Sequence, residues 1–270
     1  MKSIKRIAIC LLVIIFILLI SIVIFIKISS QGKCYKNEAK LNIPIFIYHD
    51  IVENNSDIKV NYMQTKYSVF KNQILGLIKL GYVPINYDDL IDYYKGEKSI
   101  PRRSILITFD DGFSGVYDYA YKFAKEYNIP ITSFLINYNV GTKGYYTWDQ
   151  AKEMSESGIV KIYSHSMQHL KYDQEDSKKL LDDVNNSLAQ ISDKLNVSYK
   201  NKIFTYPYGL HTKEEQELLK QNEIVQNLTD AKINTSDNLD IYGLHRMYPL
   251  SDSPLELYFK IDYRAMVYKD

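Results

Sequence analysis

The sequence predicts an α/β fold in which βα units surround a parallel sheet closed into a barrel of reduced size, preceded by one membrane-spanning helix. Three observations carry this expectation. Apolar runs of strand length alternate with helix-length segments from residue 43 onward, which is the pattern of βα units. About 230 residues follow the N-terminal region, enough for one small barrel. His49, Asp110 and His165 fall at the C-terminal ends of the strand candidates, where parallel barrels place their sites.

Taken in order, the first element is Ile7 to Ile26, twenty residues broken only by Ser21. At 1.5 Å per residue such a helix spans a bilayer core of roughly 30 Å. Lys2, Lys5 and Arg6 precede it, so the positive-inside rule holds the N-terminus in the cytoplasm and puts residues from about 29 onward outside. A cleaved signal peptide is the competing reading, but its apolar region normally runs about 7–15 residues, and no small-x-small cleavage site follows this run. The expected organisation is a cytoplasmic N-terminus over 1–6, an anchor over 7–28, a polar stalk over 29–42 and one extracytoplasmic domain over 43–270. Cys10 lies in the apolar run and Cys34 beyond it, so a membrane would separate them and no disulfide framework is expected. Gln31-Gly32-Lys33 also lacks the small residue that a lipoprotein cleavage site needs before its cysteine.

The net charge is +1, and removing the four cationic residues up to Lys27 leaves about −3 for the outer part. A near-neutral domain of that kind gives no reason to expect a nucleic-acid partner. Within it, strands are expected at 43–49, 82–85, 104–109, 131–136, 160–164 and 203–206, and helices at 67–80, 88–95, 115–127, 148–157, 174–195 and 212–222. The helix 174–195 mixes charges with scattered Leu and Val and reads as a solvated outer helix. The 25 tyrosines suit a composition rich in Ile, Lys, Asn and Tyr and carry no functional weight as a group. Trp148 reads as a packing residue rather than a sugar platform.

The most informative stretch is Thr108-Phe109-Asp110-Asp111-Gly112, two carboxylates at the end of an apolar strand and before a glycine. Side chains alternate in a strand, so both can reach one site only if the chain bends there. Two carboxylates with different neighbours can divide their work, one as metal ligand and the other as proton acceptor. A solvated Asp-Asp-Gly turn is the bland alternative. Against it stands Tyr163-Ser164-His165-Ser166-Met167-Gln168-His169, where two of only five histidines sit four positions apart. On one turn of helix both would share a face, and with one carboxylate they would form a triad that leaves coordination positions open, as catalytic sites do. Taken alone, histidines at this spacing can also cap a helix or line a surface.

These residues identify what the chain resembles. Thr108 to Gly112, His165 to His169 and Phe204-Thr205-Tyr206-Pro207-Tyr208-Gly209 stand in the order of three motifs of the polysaccharide deacetylase family, carbohydrate esterase family four, also called the NodB-homology domain. The approach Tyr146-Thr147-Trp148-Asp149-Gln150 through Ser157-Gly158 is similar as well, and the resemblance covers roughly residues 43 to 250. It implies a distorted (β/α) barrel holding one divalent cation, usually Zn2+, and hydrolysis of acetyl groups from a sugar. Asp111, His165 and His169 would be metal ligands, Asp110 the general base, and the backbone N–H of Tyr208, aimed by the stiff Pro207, an oxyanion donor.

Two departures are instructive. The third motif usually opens with an arginine that orients the base; Thr205 stands there, and Arg246 in Leu244-His245-Arg246-Met247 is the candidate replacement, because a subgroup with Tyr-Pro-Tyr-Gly carries a late Leu-x-Arg segment. A surface or packing role is its alternative. The usual general-acid histidine motif near the C-terminal end of the barrel is also missing. Ile43-Pro44-Ile45-Phe46-Ile47-Tyr48-His49-Asp50 instead resembles the opening strand of circularly permuted deacetylases acting on exported poly-N-acetylglucosamine, which makes His49 the expected acid and His245 its competitor. Asp50 is either an orienting partner for His49 or a loop carboxylate.

The resemblance therefore implies an N-deacetylase acting on N-acetylglucosamine in a cell-envelope polysaccharide, either peptidoglycan or exported poly-N-acetylglucosamine. The first substrate predicts resistance to lysozyme-like hydrolases and the second retention of polymer on the cell surface. A barrel that binds glycan without hydrolysing it, and an O-deacetylase of another polysaccharide such as acetylxylan, are the alternatives.

Overall fold

The computed structural model describes residues 9–22, 33–34, 41–55, 61–172 and 176–267. Eight parallel strands form its central sheet: β1 Ile45–Tyr48, β2 Val83–Pro84, β3 Ser104–Phe109, β4 Ile131–Leu135, β5 Val160–Ser164, β6 Lys202–Thr205, β7 Ile224–Thr229 and β8 Leu244–Arg246. The pairing order runs β8-β7-β6-β5-β4-β3-β1. β2 pairs with the start of β3 through Val83 and Ser104, whereas β4 pairs with its end through Thr108 and Thr132, so both share one edge of β3. The sheet closes between its two ends: Ile47 donates to the Met247 carbonyl and Met247 to the Ile45 carbonyl, each at 2.9 Å. The result is a nearly closed barrel.

β1, β3 and β4 are buried along their whole length, as parallel strands covered on both faces must be. Alternate residues of β3 serve opposite faces. Ile105, Ile107 and Phe109 pack with Phe70, Ile74 and Leu77, while Leu106 packs with Ile45, Phe134 and Tyr163.

The helices are α1 Tyr67–Lys79, α2 Tyr87–Lys95, α3 Lys122–Tyr127, α4 Trp148–Glu156, α5 Ser177–Leu195, α6 Lys213–Gln221 and α7 Pro254–Val267. Three begin with reciprocal caps that satisfy otherwise orphaned N–H groups: Asn86 with Asp89, Thr147 with Gln150, and Thr212 with Glu215. A π-helical turn, Val116–Tyr121, precedes α3 where one continuous helix over 115–127 was expected. Trp148 is partly buried against the core, in keeping with a packing role.

The expected solvated helix 174–195 is corrected in two respects. α5 starts at Ser177, and it buries Leu180, Val184, Leu188, Ile191 and Leu195 as an apolar stripe against the barrel. Its charged residues occupy the remaining face, which is what its mixed composition reflects. At the N-terminus, residues 9–22 are helical with exposed side chains, Cys10 among them. Among the described residues no helix is long and apolar enough to cross a membrane. The remainder of the expected anchor 7–28 and residues 29–32 and 35–40 of the stalk lie outside the described residues.

Candidate active site

The site grows out of four strand ends. β3 finishes at Phe109, and the chain then bends: Asp111 takes φ 71° and Gly112 φ 86°, both in the left-handed region. Aspartate tolerates that region better than most residues, and a Cβ at Gly112 would lie 3.3 Å from both the Leu135 and Tyr146 side chains. This bend places two consecutive carboxylates in one cavity. The Asp110 N–H donates to the Tyr48 carbonyl at 2.9 Å, tying the bend to the end of β1, which carries His49.

His165 follows β5 directly. The helical turn that would put His165 and His169 on one face does not form: residues 165–169 are a loop in which Ser166 and His169 have φ of 75° and 58°. Serine hydroxyls make the loop. The Ser166 N–H donates to Ser164 Oγ at 3.0 Å and the His169 N–H to Ser166 Oγ at 2.8 Å, local bonds that compete with helix formation. α5 supports the loop from behind, because Asp183 accepts from the Met167 N–H at 2.9 Å and from the Tyr172 hydroxyl at 2.6 Å.

Asp111, His165 and His169 converge. The Nε2 atoms of the histidines are 3.2 Å apart, and Asp111 Oδ1 lies 3.4 Å from the first and 3.5 Å from the second. Ligands bonded at about 2.0–2.1 Å to a tetrahedral ion sit roughly 3.3 Å from one another, so this spacing fits a divalent cation. Asp111 Oδ1 is buried without a hydrogen-bond partner, an arrangement a cation resolves. His165 Nδ1–H donates to the Thr205 carbonyl at 2.9 Å, which turns its Nε2 lone pair towards the other two donors. Burial and the neighbouring His165 push His169 down to about 4, keeping it neutral as a ligand must be. Among the described residues this is the one cluster of its kind.

Beside it, Arg246 on β8 is fully buried and grips Asp110 with both terminal nitrogens, Nη1 to Oδ1 and Nη2 to Oδ2 at 2.8 Å each. Nη1 also donates to Thr108 Oγ1 at 3.2 Å, and Nη2 to Thr205 Oγ1. Thr205 is thus an acceptor for the arginine rather than a substitute for it. Burial opposes ionisation of Asp110, but the Arg246 guanidinium, helped by His165, outweighs it and holds the carboxyl at about 2.

His49 is buried at the end of β1 and lines the same cavity of about 330 Å³ as Asp110, Asp111, His165 and His169. Burial lowers its pKa against the raising influence of Asp110 and Asp111. His245 is elsewhere: its Nδ1 pairs with Asp230 Oδ2 at 2.7 Å, and it does not line the cavity. Asp50 does not orient His49; it accepts backbone N–H bonds from Gly115 and Ile51. Tyr208 sits at the rim, 58% exposed, with φ 58° and its ring 4.4 Å from that of His169. The cavity also includes Tyr62, Met63, Thr229 and Tyr248, which sequence reasoning missed. Tyr248 lies two residues beyond Arg246, but the strand that would have pointed to it is broken by polar residues and was not expected from the sequence.

Residues 97–226 match the sequence model of the family described as polysaccharide deacetylase. A poly-beta-1,6-N-acetyl-D-glucosamine N-deacetylase of Staphylococcus epidermidis is 28% identical over 222 residues, covering 78% of this chain and 75% of the relative. Among solved structures, the Streptococcus pyogenes deacetylase PplD in complex with acetate aligns with a TM-score of 0.72 at 20% identity, over 83% of this chain and 99% of that one. IcaB from Ammonifex degensii aligns with a TM-score of 0.68 at 22% identity, over 86% and 98%. At these identities the two structures share the fold.

Proposed function

We propose that this chain, whose residues 97–226 match the polysaccharide deacetylase model, is a metal-dependent N-deacetylase removing acetyl groups from N-acetylglucosamine units of a cell-envelope polysaccharide. The observation that carries the reading is a carboxylate held ionised by a two-pronged arginine beside three convergent metal donors. A glycan-binding barrel has no need of that base.

Asp111, His165 and His169 would hold the cation, with zinc favoured by a donor set of two imidazoles and one carboxylate. When bound, it supplies Lewis acidity and activation of water. The chain's own residues do the rest. Asp110 accepts the proton of the attacking water while Arg246 fixes both of its oxygens. A carboxyl held at about 2 is ionised near neutral pH, as a proton acceptor must be. As the water oxygen bonds to the acetyl carbon, the Tyr208 N–H donates to the developing oxyanion. The C–N bond then breaks as His49 passes a proton to the departing amine, leaving acetate and a free amino sugar.

The staphylococcal relative favours exported poly-N-acetylglucosamine over peptidoglycan as the polymer. We place the deacetylase domain at 43–270 on the outer face of the cell membrane, with the apolar run over 7–28 as its uncleaved anchor and 29–42 as the stalk. Acetate release by the purified protein from poly-N-acetylglucosamine and from peptidoglycan, with and without a chelator, tests the reading. Chelator-sensitive release from the first polymer is expected. No release from either contradicts it.

A further inference from the structure

We infer that Tyr248 is a positioning residue for the general acid, holding the His49 imidazole by ring stacking in place of the carboxylate that usually orients such a histidine. The inference rests on the reading of His49 as the acid. Its starting point is that His49 Nδ1 is buried and has no hydrogen-bond partner. An acid histidine is ordinarily fixed by a bond to its second nitrogen. The adjacent carboxylate, Asp50, is committed elsewhere: a Cβ added to Gly115 would lie 2.4 Å from Asp50 Oδ1, so the carboxylate is packed directly against that backbone.

The imidazole instead lies parallel to the Tyr248 ring, with centroids 6.0 Å apart and planes 13° from each other. Tyr62 in turn meets Tyr248 edge-on at 6.0 Å and 70°. Both distances and orientations fall within the range of favourable aromatic pairs. The backbone explains the precision of the placement. Met247 is hydrogen-bonded on both sides to β1, through Ile45 and Ile47, so the segment carrying Tyr248 is locked to the strand that carries His49. Residues two apart point to the same face, so Arg246 and Tyr248 both face the site while Met247 is buried in the core. One three-residue segment thereby sets the base through Arg246 and the acid through Tyr248.

A residue that only aims an acid matters in proportion to how badly the leaving group needs a proton. The test therefore compares two substrates in Tyr248→Leu, Tyr248→Phe and His49→Ala: acetylated glucosamine oligomers, whose amine must be protonated, and 4-nitrophenyl acetate, whose phenolate leaves without help. Zinc content and Tm are measured alongside. For Tyr248→Leu we expect kcat on the oligomers to fall at least 10-fold at nearly unchanged KM, with the ester rate within about 3-fold, and Tyr248→Phe to rescue the oligomer rate. Equal losses on both substrates, an unchanged oligomer rate in Tyr248→Leu, or a Phe variant as impaired as the Leu variant would overturn the inference. His49→Ala separates the two levels: if it loses both substrates equally, the acid assignment fails; if it shows the leaving-group dependence and Tyr248→Leu does not, the positioning role alone fails.

Discussion

Arg246 and Asp110 meet as a two-pronged ion pair, both contacts at 2.8 Å, although 136 residues separate them and neither side chain is appreciably exposed. The pair joins β8 to the end of β3 across the barrel seam, and it sets the ionisation state of the proposed base. Removing the arginine strands a buried carboxylate. Arg246→Ala should cost about 3–5 kcal/mol of stability, the range for breaking a buried pair, and should raise the pKa of Asp110. Arg246→Lys keeps the charge but loses the fork, so its stability loss should be smaller while kcat still falls about 10-fold or more. Denaturant titration together with acetate release distinguishes the two.

The metal loop depends on a residue that never touches the cation site. Asp183 on α5 ties down the Met167 N–H and the Tyr172 hydroxyl, and so fixes the segment between and beyond the two histidines. Asp183→Ala should weaken zinc binding about 10- to 100-fold, the scale of outer-shell substitutions, without removing a ligand. Calorimetric zinc titration reads this directly; an unchanged affinity would mean the loop holds its shape without α5.

Asp50 gives a pH signature. Burial raises its pKa to about 6 against the lowering influence of the Gly115 and Ile51 N–H groups, above its ordinary value of 3.8. A carboxyl whose pKa is higher in the folded protein than in the unfolded chain contributes stability that is fully present below about 3.8 and is lost as pH rises through about 6. From this group, then, stability should increase as pH falls from about 7 to 4. Asp50→Asn should flatten that part of the stability curve, as followed by Tm across the range.

Much of this was legible from the residue pattern, and the exceptions have physical causes. Strands such as Ser104–Phe109 announce themselves because burial on both faces demands a continuous apolar run. β7, with sequence Ile-Val-Gln-Asn-Leu-Thr, and β8, with Leu-His-Arg, were not expected as strands, since Gln226, Asn227 and Arg246 are buried polar residues that break the apolar signal. Their partners lie far away in sequence: Asn227 accepts from the Tyr87 hydroxyl and Arg246 binds Asp110. α7 was missed as well. The histidine pair was recognised by spacing, but its geometry comes from serine side chains bonded to backbone, which spacing does not reveal. The roles carried over by motif position fall on residues that the fold does bring to one cavity, whereas the Tyr248 stack depends on the seam between β1 and β8, a long-range pairing with no local sign.

The central claim is a division of labour between adjacent carboxylates, Asp111 holding the cation and Asp110 taking the proton. The most direct measurement is acetate release and zinc binding by Asp110→Asn in the same preparation. Full zinc occupancy with kcat reduced about 10²- to 10⁴-fold is the result expected for loss of a general base; wild-type turnover in that variant would contradict the account.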